Sequence, residues 1–210
     1  MKEIVVIGGG GHAKVLIGTL NKLPEYSVIG YTDRKDNGSL IGARYLGDDS
    51  ILNELLKNHP SCCAAIGVGA VAATHVRKTI LEGIEKMGFT LPSIVSPFAI
   101  VNEAVSLGKA TVVFDGAVIN PDSEIGEGGI INTNSTVEHD CRIGAYVHIA
   151  SGATLAGGVQ VGEYSLIGAG ATIRQSVKIC ADCTIGAGAV VISDCLQPGI
   201  YYGVPARMKI

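Results

Sequence analysis

The sequence contains no tryptophan, and aromatic residues make up only 5% of its 210 residues. A core formed by this chain must therefore be largely aliphatic. No uninterrupted apolar run approaches the ~18 residues that a membrane-spanning helix requires. A large excess of one sign of charge is also absent, because the formal net charge is −3 and like charges do not form long runs. These absences argue against nucleic acids and membrane surfaces as the main partners.

The N-terminus does not have the pattern of a secretory signal. Residues 1–4 include an acidic residue and lead directly into an apolar strand pattern. A signal peptide would begin with basic residues and continue with a longer apolar stretch before a cleavage site. We therefore expect a soluble protein that stays in the cytoplasm.

Cysteine is present, but its pattern does not predict a metal site. Cys180 and Cys183 form a C-x-x-C pair, and no second pair completes a four-thiolate zinc site. In the repeat described next, Cys141 and Cys183 occupy equivalent positions where small residues otherwise stand. Cys180 falls at a turn position, so we expect it to point away from Cys183. The sequence thus predicts small structural thiols and no metal.

Glycine is abundant, and a strict period of six residues dominates the second half of the chain. Every sixth residue from Val101 to Val191 is Val, Ile or Leu. A helix repeats near 3.6 residues and a flat amphipathic strand near 2, so this period indicates a hexapeptide β-helix. Small residues two positions earlier would share the inward face. Gly or Asn one position later would form the corners, where we expect left-handed backbone angles.

Residues 1–92 have a different pattern, which predicts a small Rossmann-like α/β domain with a parallel sheet. The predicted strands are 4–7, 27–31 and 63–66, and the predicted helices are a first one to about residue 22, 51–58 and 72–87. The predicted β-helix domain, with its turn-rich tail, is 97–210. Gly8-x-Gly10-x-x-Ala13 follows the first strand and opens a helix, as in phosphate-binding turns.

Two histidines of the repeat, His139 and His148, do not belong to its aliphatic column. His139 lies at a corner between Glu138 and Asp140, where a carboxylate could raise its basicity as a general base requires. His148 lies on an outward face. The two are nine residues apart, which is half of an 18-residue coil, so they point in different directions. A site that uses both would need two chains, and this predicts a homotrimer with interfacial sites.

Several motifs together resemble bacterial sugar O/N-acyltransferases of the sialic acid O-acetyltransferase type. They are GGGGHAKV, the unbroken hexapeptides, NTNSTVEHDCRIGAYVHIASGATLAGGV and the ending YGVPAR. The chain looks closest to N-acetyltransferases that act on nucleotide-linked 4-amino-4,6-dideoxy sugars for surface glycans or glycoproteins. The resemblance implies a Rossmann-like domain that binds the nucleotide sugar. It also implies a left-handed β-helix that trimerises, with acetyl-CoA in the groove between adjacent β-helices.

The resemblance also implies roles for individual residues. His139 would be the catalytic base and Asp140 would tune it, with direct acetyl transfer and no metal. The residues implied on the coenzyme side are His148, Gly157, Ala169 and Ala187. The residues implied on the nucleotide-sugar side are Gly10, Gly11, His12, Asp33, Arg34 and Gly67. Many relatives have a polar residue after the glycine of the third strand, whereas this chain has Gly67-Val68-Gly69.

Three other functions remain open at this point. A sialic acid O-acetyltransferase would share the fold and the catalytic histidine. A β-helix metalloenzyme of the γ-carbonic anhydrase kind would need three metal-binding histidines, and the repeat has only two. A binding module could use the β-helix merely for oligomerisation, but it would not require the pair formed by His139 and Asp140.

Overall fold

The computed structural model describes residues 1–209, beginning with a small α/β domain. Its strands are β1 (Lys2–Ile7), β2 (Tyr26–Thr32), β3 (Tyr45–Gly47) and β4 (Cys63–Ile66). Its helices are α1 (Gly11–Leu20), a 3-10 turn (Asp49–Ile51), α2 (Leu52–Asn58) and α3 (Val76–Lys86). The sheet is parallel, with the order β3-β2-β1-β4. The predicted strands are confirmed, and β3 is an addition too short to give a periodic signal.

The order of the strands determines where this domain can bind a ligand. From β1 the chain passes through α1 to β2 on one side, and later returns to β4 on the other side. The sheet therefore has its topological switch point between β1 and β4, where the carboxyl ends of parallel strands leave a crevice. β1 is buried at Ile4 through Ile7, since apolar clusters cover both faces of the sheet.

The rest of the described chain is a left-handed β-helix with three sheets, each forming one face of a triangular prism; all strand pairs in them are parallel except the last pair, β22 with β23. The first sheet comprises β5 (Ile94–Val95), β8 (Val112–Val113), β11 (Ile130–Ile131), β14 (His148–Ile149), β17 (Leu166–Ile167), β20 (Cys183–Ile185), β22 (Gly199–Gly203) and β23 (Ala206–Met208). The second comprises β6 (Ile100–Val101), β9 (Val118–Ile119), β12 (Thr136–Val137), β15 (Thr154–Leu155), β18 (Thr172–Ile173) and β21 (Val190–Val191). The third comprises β7 (Ser106–Leu107), β10 (Glu124–Ile125), β13 (Arg142–Ile143), β16 (Gln160–Val161) and β19 (Lys178–Ile179).

The first β-helix strand, Ile94–Val95, pairs with Val112–Val113 and so precedes residue 97. The domain limits 1–92 and 97–210 stay a prediction. Most aliphatic residues of the six-residue column are buried and form one core along the prism axis. None of the helices in the described chain has the length and apolar character needed to cross a membrane.

The corners are built differently from the sequence-based expectation. Left-handed backbone occurs three positions after the aliphatic residue, not one, as at Asn134 and Asp140. The glycines one position after it are needed for space. A Cβ atom on Gly126 would lie 2.5 Å from the backbone nitrogen of Ala145 in the next coil. The six-residue period therefore predicted where the corners lie. The glycines are present there because successive coils stack closely, and not because the backbone is left-handed at those positions.

The three faces differ in their outward side chains. On the face formed by the first sheet, here the covered face, residues such as Ile94, Val112 and Ile130 are buried against the α/β domain. The second sheet forms an uncharged face whose outward residues are all β-branched, namely Ile100, Val118, Thr136, Thr154, Thr172 and Val190. The third sheet forms a charged face with outward Ser106, Glu124, Arg142, Gln160 and Lys178.

The two edges of the uncharged face are important for the site. Residues 132–135 and 150–153 lie at the edge shared with the covered face, here the pocket edge. Residues 138–141 lie at the edge shared with the charged face, here the His139 edge.

The prediction that Cys180 and Cys183 point in different directions is wrong. Their Sγ atoms are 3.5 Å apart, although Cys180 follows β19 at a corner and Cys183 begins β20. The corner turns so sharply that both side chains approach the same end of the core.

Candidate functional site

A cavity of about 670 Å³ lies between the two domains. It opens at the carboxyl ends of β1 and β4 and is closed on the other side by the pocket edge of the β-helix. Its lining includes six of the predicted site residues, namely Gly10, Gly11, His12, Asp33, Gly67 and His148. Arg34 is exposed and lies outside this lining. The topological switch point thus coincides with the predicted nucleotide site.

Sequence reasoning missed the β-helix residues that complete the cavity, including Asn132, Thr133 and Ser151. Asn132 was recognised only as a corner residue of the repeat. The available signal was the motif that contains it, because NTNSTVEHD places several polar side chains at consecutive corner positions. That these corners face the α/β domain depends on the docking of the two domains, which the repeat does not specify.

The glycines that follow β1 and β4 are of two kinds. Gly67 and Gly9 are required by packing, since a Cβ on Gly67 would lie 2.7 Å from Val6 Cγ1 and one on Gly9 2.6 Å from Tyr31 Cε2. In contrast, a Cβ on Gly10 or Gly11 would meet nothing within 4 Å. The packing of this chain therefore does not account for Gly10 and Gly11, and the space beside them belongs to the cavity.

The start of helix α1 offers backbone donors to the same cavity. Its N-cap, Gly10, makes no side-chain capping bond, and no acidic residue lies in the first turn. The amide of Gly9 is already occupied, because it donates to Asp33 Oδ2 at 2.6 Å. Asp33 therefore also acts as a brace for the glycine turn. Uncapped amides at a helix start suit an anionic ligand.

His148 has a hydrogen-bond partner at each ring nitrogen, one in the α/β domain and one in the β-helix. Its Nδ1 lies 2.9 Å from the carbonyl oxygen of Ala70, which can only accept, so Nδ1 carries the proton. Its Nε2 lies 3.0 Å from Asn132 Nδ2, whose amide then donates. Burial lowers the pKa of His148 to about 4. The ring is outward on its strand, as predicted, but the α/β domain covers it and leaves it only 7% exposed.

His12 is the second buried histidine of the cavity. Its ring packs edge-on against Phe114 of the β-helix, with centroids 5.4 Å apart. Among residues 1–209, its Nε2 is a buried side-chain atom without a hydrogen-bond partner. Burial is the main cause that lowers the pKa of His12 to about 3, and the charge of Arg77 adds to it. The imidazole is therefore neutral at physiological pH.

His139 and Asp140 form a hydrogen-bonded pair at the His139 edge. Nδ1 of His139 and Oδ2 of Asp140 are 2.7 Å apart, and both side chains are exposed. This hydrogen bond is the main cause that raises the pKa of His139 above its ordinary value. Because Nδ1 donates to the carboxylate, Nε2 is left as the basic nitrogen. An imidazole oriented in this way is suited to accept a proton.

Gly157 lies directly above His139 in the next coil. A Cβ on Gly157 would be 2.5 Å from His139 Nε2, so the missing side chain leaves room for the ring. The carbonyl oxygen of His139 also accepts a hydrogen bond from the amide of Gly158 at 2.8 Å. The structure thus places Gly157, predicted on the coenzyme side, beside the predicted base.

The predicted residues form two groups on opposite edges of the uncharged face. His139, Asp140 and Gly157 lie along the His139 edge. Exposed Ala169 and Ala187 follow Ser151 at intervals of one coil along the pocket edge. One chain therefore does not bring His139 to the cavity that contains His148.

A shallow groove of about 700 Å³ follows the charged face and contains none of the predicted residues. Its lining includes Glu124, Arg142, Gln160 and Lys178, and such a mixture of charged and polar side chains is typical of a solvated surface. Across residues 1–209, no cluster of three or more His, Cys, Asp or Glu side chains has a geometry that could hold a metal ion.

Comparison with known families assigns both parts of the chain. Residues 3–84 match the PglD N-terminal domain. Residues 140–175 and 158–193 match the bacterial transferase hexapeptide, a model of six repeats.

Individual relatives agree with this assignment. The acetyltransferase domain of PglB from Neisseria gonorrhoeae, solved with acetyl coenzyme A, is 34% identical, with 99% of each chain covered and a TM-score of 0.91. A perosamine N-acetyltransferase from Caulobacter crescentus, solved with CoA and GDP-perosamine, is 37% identical, covering 100% of this chain and 97% of the other with a TM-score of 0.93.

A curated relative, UDP-N-acetylbacillosamine N-acetyltransferase from Bacillus subtilis, is 34% identical over 116 residues. That match covers 54% of this chain and spans 51% of the relative's own length. The two solved relatives, in contrast, are matched over nearly their whole chains. The chain belongs to the family of hexapeptide-repeat acetyltransferases with a PglD-type N-terminal domain.

Proposed function

We propose that this protein transfers the acetyl group of acetyl-CoA to the 4-amino group of a nucleotide-linked amino-deoxy sugar. The names of its relatives support the acetyl donor and the class of acceptor. The observation that carries the proposal is the placement of an interdomain cavity and the His139–Asp140 pair on the two edges of one uncharged face.

The two edges would meet in a homotrimer. Thr133 and His139 belong to one coil and so lie at nearly the same height along the prism. If three prisms pack their uncharged faces around a parallel axis, the His139 edge of each subunit adjoins the pocket edge of the next. Such head-to-tail contacts close into a ring after three copies.

The composition of the uncharged face supports this arrangement. Its outward row contains only Val, Ile and Thr, and the exposed Phe98 adds an apolar side chain next to Ile100 at one end of this row. The neighbouring charged face has Glu, Arg and Lys in the equivalent row. A surface without charge that is rich in β-branched residues suits a partner of the same kind.

In this arrangement the residues predicted for the coenzyme line a single groove. Gly157 would contribute from one subunit, and Ala169 and Ala187 from the next. The small, exposed side chains of Ala169 and Ala187 leave space along one wall for an extended pantetheine arm, while Gly157 makes room for the His139 ring on the other. When bound there, acetyl-CoA supplies an activated thioester carbonyl and a thiolate leaving group.

The chain's own residues would then act on the amine. Gly10, Gly11 and the start of α1 hold the diphosphate of the nucleotide, and Asp33 lies where a ribose is bound in related sheets. Nε2 of His139 accepts the amine proton as the new N–C bond forms and the C–S bond breaks. Asp140 stabilises the resulting imidazolium, and the proton passes to the departing thiolate. His148, being neutral and fully hydrogen-bonded, orients the cavity wall and carries no proton.

The decisive experiment measures thiol release from acetyl-CoA with a panel of nucleotide 4-amino sugars and free sialic acids. We expect activity with at least one nucleotide amino sugar. His139→Asn should lower turnover by a factor of ~10² to 10⁴, the usual contribution of a general base. His59→Asn is a matched control, because His59 forms a similar pair with Glu3 at 2.7 Å in the α/β domain and should leave turnover unchanged.

Three outcomes would contradict the proposal. Activity confined to sialic acids would favour O-acetylation by the same fold. Absence of acetyl-CoA binding would favour a scaffold role for the β-helix. An unchanged rate in a folded His139→Asn protein would remove the general base from the mechanism.

A further inference from the structure

Arg77, on helix α3, is a buried arginine beneath the cavity. It is only 2% exposed, although arginine is rarely buried without a partner. Its guanidinium donates to the carbonyl oxygens of Ile66 and Val68 at the end of β4, the former at 3.3 Å. It also donates to the carbonyl oxygen of Gly128 in the β-helix at 3.3 and 3.2 Å.

None of these partners carries a negative charge. The ion pairs found among residues 1–209 do not include Arg77. Carbonyl groups satisfy the N–H donors, but they do not neutralise the charge. Burial of an unpaired charge is costly, and a neutral side chain of similar size would often be as stable or more so. The folded protein thus keeps a positive charge that its own residues do not balance.

The charge lies close to the cavity. Val68, whose carbonyl binds the guanidinium, is part of the cavity lining, as are His12 and His148. Both histidines are near enough for the charge of Arg77 to oppose their protonation. The loop of Gly67, Val68 and Gly69 offers no polar side chain to a ligand. A fixed positive charge therefore lies behind this uncharged loop, whereas the carboxylate that lines the cavity, Asp33, accepts a hydrogen bond from the amide of Gly9.

We propose that Arg77 is a positioning residue that supplies this positive charge to an anionic ligand in the cavity, without touching it. The inference rests on the proposed function, in which the ligand carries a diphosphate. The guanidinium holds the wall formed by Ile66 and Val68 against the β-helix, and its field acts through a medium of low dielectric constant. The diphosphate is thus the counter-ion that the folded chain lacks.

The test compares ligands that differ in charge. The dissociation constants of UDP and GDP, and of uridine and guanosine, are measured for the wild type and for Arg77→Met. We expect Arg77→Met to weaken binding of the preferred diphosphate about tenfold, as expected for one unscreened charge acting over a distance on the order of 10 Å. Binding of the corresponding nucleoside should change less than about twofold, since the nucleoside carries no charge.

Two further variants separate charge from structure. Arg77→Lys keeps the charge and should retain most of the preference for the diphosphate. Thr184→Val is the matched control, because Thr184 Oγ1 accepts a hydrogen bond from the amide of Ala73 at 3.0 Å and ties the same loop to the β-helix without charge. It should leave the ratio of the two dissociation constants unchanged.

A measurement on the wild type keeps the test decisive even if Arg77→Met does not fold. A buried charge is screened little by salt, so the affinity for the diphosphate should fall less than about threefold between low and high salt. A fall of tenfold or more would overturn the inference and assign the phosphates to surface cations such as Arg34 and Lys35. Equal losses for nucleoside and diphosphate in Arg77→Met would likewise overturn it. Failure of the wild type to bind either diphosphate would instead reject the nucleotide site itself.

Discussion

His139 and His148 are nine residues apart in one repeat, yet their surroundings give them opposite protonation behaviour. His139 is exposed beside a carboxylate, which raises the pKa of its imidazole. His148 is covered by the α/β domain, and burial lowers its pKa to about 4. The first can exchange a proton near neutral pH, while the second stays neutral and holds two domains together.

The role of Asp140 can be tested through pH dependence. Asp140→Asn removes the charged acceptor that raises the pKa of His139, so this pKa should fall toward 6.5. Because the base must be unprotonated, the acidic limb of kcat/KM should move to lower pH. The plateau rate should also fall roughly tenfold or more, since the imidazolium loses its partner. The measurement is a pH profile of kcat/KM.

Glu138→Gln is the control for that profile. The Glu138 carboxylate accepts a hydrogen bond from Asn120 Nδ2 at 2.8 Å, and its charge contributes least to raising the pKa of His139. It should displace the acidic limb less than Asp140→Asn does. An equal displacement would show that the pair with Asp140 is not what sets the basicity.

Gly157 provides a second test at the scale of one residue. Gly157→Ala would place a methyl group 2.5 Å from His139 Nε2 and force the ring aside. We expect kcat to fall about a hundredfold, because a displacement on the order of 1 Å disrupts proton transfer. The unfolding midpoint should change little, since the ring is exposed and can move. An unchanged kcat would mean that Nε2 does not act at this position.

The surroundings of His139 could be predicted from sequence because they depend on neighbours along the chain. Asp140 is adjacent, and Gly157 follows one coil later, so both relations are fixed by the period. The burial of His148 could not be predicted, because it depends on a carbonyl 78 residues away, that of Ala70. The burial of Arg77 could not be predicted for the same reason, since its place on a helix does not reveal that the β-helix packs against it.

At the scale of elements, a substitution at the start of helix α1 should affect ligand binding without lowering the stability of the fold. Gly11 lies in the first turn of α1, and a Cβ there would meet nothing within 4 Å. Gly11→Ala should therefore leave folding intact or stabilise it by about 0.5 kcal/mol, by restricting the unfolded chain. The added methyl group should nevertheless lower affinity for a nucleoside diphosphate. Urea unfolding and calorimetric titration measure the two effects.

Gly67→Ala is the contrasting variant, at the end of the neighbouring strand β4. Its Cβ would lie 2.7 Å from Val6 Cγ1 and 2.8 Å from the carbonyl oxygen of Gly8. We expect this variant to lose stability by about 1 to 3 kcal/mol, as overpacking in a filled core does. If Gly11→Ala destabilised the protein as much as Gly67→Ala, the distinction between packing glycines and ligand-facing glycines would be wrong.

The element scale is also where the sequence was most informative. Strands 4–7 and 63–66 and the 18-residue coil follow from local periodicity, and the structure has them nearly as expected. The corner conformation was assigned to the wrong position, because glycine at Gly126 and its equivalents is selected by contact with the next coil. Such contacts between coils are tertiary, so they cannot be read from local propensity even though they repeat every coil.

At the scale of the whole molecule, the proposed trimer can be tested with two substitutions in one coil. Thr154 lies outward on the uncharged face and Gln160 outward on the charged face, and both are exposed. Thr154→Arg should dissociate the trimer and lower turnover by ~10² or more, because each cavity would lose the general base of its neighbour. Gln160→Arg should leave both unchanged. Sedimentation velocity and thiol release measure the two properties.

Complementation distinguishes shared sites from sites within one chain. His139→Asn and Gly10→Glu each inactivate a different half of the proposed site, so each homotrimer should be inactive. Equal amounts of the two variants, mixed by reversible dissociation, should recover about one quarter of wild-type turnover. In random trimers, roughly one interface in four joins a subunit with an intact His139 to a neighbour with an intact Gly10. No recovery from a verified mixture would place both halves in a single chain.

The strict register of the β-helix also constrains how its length can change. Thr136 pairs with Thr154 and Thr154 with Thr172, each one coil along, so every coil is an equivalent unit of 18 residues. A whole coil added beyond Val191 would lengthen the β-helix without moving His139 relative to Thr133. A single residue inserted between Thr133 and His139 would instead turn a buried column outward. The height of the molecule can thus change in steps of one coil, while the distance between its two edges stays the same.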